Sequence, residues 1–88
     1  MQSNEEVKEK VKKMLSIFVN MPESEIKDNY ILKENPLLMD STKLKFLALS
    51  LRGYVKSIKE DQTVTATEVS ANGLTVAGLI DSIYKKVE

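Results

Sequence analysis

The chain has 88 residues, 13 of them basic and 13 acidic, for a formal net charge of zero, and it contains neither histidine nor cysteine. Disulfides, thiolate nucleophiles and zinc–thiolate sites are thereby excluded, and the commonest general base and metal ligand is missing. The reading that follows is one small domain spanning residues 1–88, with a thin core and no overall field drawing it to nucleic acid or anionic membrane. Any electrostatic preference has to come from a local patch.

The first helix is predicted from about Asn4 to Val19. Val7, Val11, Met14, Leu15 and Phe18 recur at helical spacing, while Lys8, Glu9, Lys12 and Lys13 take the other faces. Ser3 or Asn4 can cap it, and Glu5 and Glu6 suit the positive end of the helix dipole. Asn20 and Pro22 mark its end. The charged Met1–Lys13 stretch shows no secretory signal, and no apolar run is long enough to span a bilayer. A cytoplasmic protein is the expectation.

Met21–Met39 reads as a long connection, with a short turn at Glu23–Ile26 and another at Asn35-Pro36. Ile26, Tyr30, Ile31, Leu32, Leu37 and Leu38 are too many apolar groups for a wholly solvated loop. The segment should therefore lie across the bundle with several of them tucked in. A second helix is predicted after Asp40-Ser41, running to about Ile58 on the stripe Leu44, Leu47, Ala48, Leu51, Val55 and Ile58. Gly53 weakens it by about 1 kcal/mol relative to alanine.

Thr63–Ser70 has two readings. Thr63-Val64-Thr65-Ala66-Thr67 alternates like a strand, but a lone short strand is unstable. Thr65 with Glu68 fits a capping box, which favours a short third helix near Thr67–Ala71. Asn72-Gly73 closes it. The last helix is predicted from Thr75, with Val76, Leu79, Ile80, Ile83 and Val87 as its buried face. These elements amount to an all-α domain, a small helical bundle.

The layout resembles the acyl carrier protein family: a small four-helix bundle with a long loop between helices 1 and 2, a short third helix, and a Gly-x-Asp-Ser-Leu/Met motif opening the second helix. Here that stretch is Leu38-Met39-Asp40-Ser41-Thr42, with Leu38 at the glycine position and Thr42 after the serine. Leu37 stands where the family often has leucine. Glu25-Ile26 and Asn29 resemble its short turn, and Thr75-Val76, Ile80 and Ile83-Tyr84 its last helix.

The resemblance implies a non-catalytic acyl carrier. Ser41 would bear 4′-phosphopantetheine as the covalent cofactor, and the arm's thiol would carry acyl groups as thioesters. A phosphopantetheinyl transferase would install the arm, and acyl-loading and acyl-transfer enzymes of a fatty-acid, lipid or polyketide-type pathway would use it. By the same analogy, Leu47, Leu51, Val69, Leu74 and Ile80 would line an acyl shelter. A monomer is expected. A serine at a helix N-terminus suits this role, because free N–H groups and the dipole favour a phosphate there. The alternative for Asp40 or Ser41 is a simple helix cap.

The family's second helix is usually acidic, whereas this one carries Lys43, Lys45, Arg52, Lys56 and then Lys59. Phe46 and Leu49 point away from its buried stripe. Asp40, Thr42, Lys45, Phe46, Leu49 and Arg52 are therefore the candidate partner-binding residues. Phe46, Leu49 and the basic flank of Lys45, Arg52, Lys56 and Lys59 also carry the alternative function, an unmodified protein-interaction module. Nucleic-acid binding is disfavoured by the neutral charge and the lack of an aromatic-basic cluster. No metal-ligand spacing, phosphate-binding glycine loop or nucleophile–base pair suggests an enzyme.

Overall fold

The computed structural model describes residues 3–88. Helix α1 (Asn4–Val19) forms as its periodicity predicts, with Val7, Val11 and Leu15 fully buried. Ser3 is its cap: the Glu6 N–H donates to Ser3 Oγ at 3.2 Å. Asn20 ends it in the left-handed conformation, φ 56, which asparagine tolerates better than most residues. A single 3-10 turn, Glu23–Glu25, follows Pro22.

Helix α2 (Ser41–Ile58) buries Leu44, Leu47, Ala48, Leu51 and Val55. Ile58, expected in the same stripe, is half-buried. In the ambiguous stretch the helix wins over the strand, but α3 (Ala66–Val69) is shorter and earlier than Thr67–Ala71. The cause is local: Thr65 Oγ1 accepts from the Glu68 N–H at 3.3 Å, so the first helical residue is Ala66. The reciprocal half of the capping box does not form. The Glu68 carboxylate instead meets Lys86 Nζ at 3.2 Å, tying α3 to the last helix, α4 (Val76–Val87). Thr75 lies just outside α4 as its cap, accepting from the Gly78 N–H at 3.0 Å. Between α3 and α4, Gly73 takes φ 77, which an L side chain would resist.

Among the described residues there are four α-helices and no strand, and Ile31 and Thr75 form an isolated antiparallel bridge. Helices α1, α2 and α4 pack on one another, and α3 packs on α2. Among the described residues no helix is long and apolar enough to cross a membrane.

The connection between α1 and α2 contributes Ile26, Leu32, Leu37 and Met39 to the same core. Leu38, expected among the tucked-in groups, is 57% exposed. Backbone bonds stitch this segment to the entrance of α4: Leu32 N–H to Leu74 O at 3.0 Å, Val76 N–H to Tyr30 O at 2.9 Å, and Ala77 N–H to Asp28 O at 2.9 Å. Lys33 adds a side-chain clamp, donating to Ser70 O at 2.7 Å and Asn72 Oδ1 at 3.0 Å. On the other side, Asp28 bridges to α1 through Lys12 at 2.8 Å and Lys8 at 3.3 Å. The Lys12 hydrogen bond, with Lys8 assisting, holds the Asp28 carboxyl below the usual carboxylate range against partial desolvation.

Gly53 sits in the middle of α2, on its exposed side, and a Cβ built there meets nothing within 4 Å. Gly53→Ala is therefore expected to stabilise the fold by about 1 kcal/mol. A higher denaturant midpoint at unchanged slope would show it; an unchanged or lower midpoint would mean that the added methyl costs the folded chain at least what helix propensity returns.

Candidate functional site

The entrance to α2 is set by Asp40 and by the segment before it. Leu37 and Met39 are buried, and the Met39 N–H donates to Leu32 O at 2.9 Å, so the chain arrives at the helix from a fixed direction. Asp40 is the cap, with Oδ1 accepting from the Lys43 N–H at 2.8 Å and its carbonyl from the Leu44 N–H at 2.9 Å. Ser41 is the first helical residue. Its side chain is exposed and takes no part in a hydrogen bond among the described residues. The two readings of the dipeptide thus separate: the aspartate does the capping, and the serine hydroxyl is left available.

These residues fit a phosphate-linked group. The Ser41 and Thr42 amides precede the capped Lys43 amide and have no partner among the described residues, as the first N–H groups of a helix do. Lys45 follows Ser41 by four residues, the spacing at which helix side chains meet on one face. A phosphodiester on Ser41 Oγ would find two amide donors, the positive end of the helix and an ammonium one turn away.

Leu38, at the motif's glycine position, adopts φ 44. It keeps a backbone shape that glycine enters freely and a leucine enters at a cost of about 1–2 kcal/mol. Since more than half of the side chain is exposed, little packing is lost without it. Leu38→Gly is expected to leave stability unchanged or to raise it by up to about 1 kcal/mol, after the extra freedom of an unfolded glycine is subtracted. Urea unfolding decides this, and a loss of more than about 1 kcal/mol would show that the leucine side chain matters to the fold.

Asp40, Ser41, Thr42, Lys45, Phe46, Leu49 and Arg52 are all exposed, so the attachment and partner-binding residues expected from the sequence are accessible. Phe46 and Leu49 are not covered by a neighbouring element: each is 52% exposed. The motif stretch includes Leu38 and Met39, but their orientations come from the structure. Leu38 adds an exposed apolar group at the helix entrance, and Met39 anchors that entrance from below.

Of the proposed acyl lining, Leu47, Leu51, Val69 and Ile80 are buried in the single core and Leu74 is half-buried. A separate open groove of about 560 Å³ is lined by Glu6, Glu9, Lys10, Lys13, Glu23 and Tyr54, and shares no residue with the serine or that lining. There Lys10 Nζ lies 5.7 Å from the Tyr54 ring centroid. Desolvation, with the Glu6 charge assisting, pushes the Tyr54 hydroxyl pKa up. Among the described residues no group of three or more acidic side chains could hold a metal ion. The chain matches no protein-family model, no curated protein and no solved structure.

Proposed function

We propose that this protein is a divergent acyl carrier, non-catalytic in itself, that bears 4′-phosphopantetheine on Ser41. The observation that carries the proposal is the division of labour at the entrance to α2. Asp40 occupies the cap, and Ser41, immediately after it, presents an exposed hydroxyl that makes no hydrogen bond of its own. The four-helix layout, the long first connection and the left-handed backbone at Leu38 support the same reading. The arm, when attached, supplies the thiol that this cysteine-free chain lacks. The chain's own part is to hold the attachment point at a fixed place, shield its phosphate charge with helix amides and Lys45, and present Asp40 and Thr42 to the transferase and acyl-handling enzymes.

Incubation with coenzyme A and a broad-specificity phosphopantetheinyl transferase, followed by intact-mass measurement, tests this. The expected result is a gain of one phosphopantetheinyl group, abolished by Ser41→Ala. No gain with several transferases would sink the proposal. It would leave the second reading, an unmodified interaction module, for which the exposure of Phe46 and Leu49 speaks.

A further inference from the structure

The outward side of α2 is chemically unlike the rest of the molecule. Lys43, Lys45, Arg52 and Lys56 lie on the helix and Lys59 just beyond it, with no acid from Ser41 to Lys59. Elsewhere several lysines are neutralised where they stand: Lys8 and Lys12 by Asp28, Lys85 by Asp81, and Lys86 by Glu68. On α2, Lys43, Lys45 and Arg52 form no ion pair among the described residues, nor does Lys59, and Lys56 donates only to the backbone oxygen of Glu60. Since the chain is neutral overall and α2 carries four basic and no acidic residues, everything outside α2 sums to −4. Helix α2 is therefore a local concentration of positive charge on a neutral chain.

The same side is also apolar. Phe46 and Leu49 are each 52% exposed there. At 3.6 residues per turn, Thr42, Phe46, Leu49 and Gly53 form the crest opposite the buried Leu44, Leu47, Leu51 and Val55. Lys45, Arg52 and Lys56 flank the crest on one side and Lys43 on the other.

We infer that this face seats the protein on an anionic lipid surface. Helix α2 lies along the plane of the membrane, Phe46 and Leu49 enter the boundary between headgroups and acyl chains, and the flanking cations meet the lipid phosphates. Apolar side chains framed by basic ones are what peripheral binding to such a surface requires. The kind of cation favours lipid over a protein partner. Four of the five are lysines, flexible point charges suited to mobile headgroups, whereas protein interfaces enrich arginine and deplete lysine. Nucleic acid would satisfy the cations but offers the aliphatic Leu49 nothing apolar to enter. On the wheel Ser41 shares the flank of Lys45 and Arg52, which places the attachment hydroxyl at headgroup level. The inference stands on α2 alone and does not require Ser41 to be modified.

Flotation with vesicles tests it, comparing pure phosphatidylcholine with equal parts phosphatidylcholine and phosphatidylglycerol. The protein should bind the anionic vesicles and not the neutral ones, and rising salt should release it. Lys45→Glu with Arg52→Glu should weaken binding at least about tenfold, each charge being worth several-fold near such a surface. Phe46→Ser with Leu49→Ser should weaken it too while keeping the salt dependence. All four residues are exposed, and circular dichroism confirms that the variants remain folded. Ser41→Ala should bind vesicles as the wild type does, so a failed modification test and a failed vesicle test are separate results. Equal retention on both vesicle types, or undiminished binding by the Lys45→Glu/Arg52→Glu variant, overturns the inference. So does binding of an acidic helical peptide without binding of vesicles, which would assign the face to a protein partner.

Discussion

Leu32→Ala is expected to lower the free energy of unfolding by about 2–4 kcal/mol, the range for truncating a fully buried leucine. Leu32 stands in the irregular connection, where substitutions are usually mild. It is nevertheless completely buried, and its backbone works in both directions, donating to Leu74 O and accepting from the Met39 N–H. Losing the side chain opens a cavity at the point where the connection, the entrance of α4 and the approach to α2 converge. Such a cost is a large fraction of the stability of a domain this size. Lys33→Ala, next to it and exposed, removes only the clamp to Ser70 and Asn72 and should cost well under half as much. Urea denaturation of the two variants provides the comparison. If Leu32→Ala costs less than about 1 kcal/mol, the connection is not part of the core.

Asp40→Ala is expected to cost about 1 kcal/mol, the usual loss when a helix N-cap is removed. Asp40→Asn should recover most of it, because the amide oxygen can still accept from the Lys43 N–H. Ser41→Ala, one residue away, should change stability by no more than a few tenths of a kcal/mol, since the serine hydroxyl is exposed and unengaged. The contrast distinguishes the two roles at neighbouring positions. Equal costs at Asp40 and Ser41 would mean that the serine shares in the cap, and would remove the structural argument for its availability.

The long helices could be read from the chain because each announces itself within a few turns. Val7, Val11 and Leu15 in α1, Leu44, Leu47, Ala48, Leu51 and Val55 in α2, and Val76, Leu79, Ile80, Ile83 and Val87 in α4 repeat at helical spacing, and all are buried as that spacing requires. The cap of α3 was equally local, since Thr65 needs only Glu68 nearby. The tie to α4 was not, because the Glu68 carboxylate meets Lys86, a partner that no local pattern reveals. The connection shows the same limit. Its apolar count predicted that some side chains turn inward. Which ones do so depends on bonds to Leu74, Val76 and Ala77, far along the chain. Leu38 lost that competition: with Leu37 and Met39 both pointing in and its own backbone left-handed, its side chain is directed outward. At the site, the sequence offered Asp40 and Ser41 as equally good caps, and only the geometry at Lys43 separates them. The exposure of Phe46 and Leu49 also had to await the structure, because residues off the buried stripe can equally be covered by a neighbour.

The stitching of the first connection to the entrance of α4 bears on the order in which the chain takes shape. Asp28, Tyr30 and Leu32 bond through their backbones to Ala77, Val76 and Leu74, so α2 and α3 lie inside the loop that these bonds close. Contacts of such long sequence separation are entropically costly to form before the intervening chain is compact. Helices α1 and α2 can start to wind early from local contacts. The approach to Ser41 waits for α4, and should be among the last parts of the molecule to reach its native path and among the first to open when the C-terminal helix detaches.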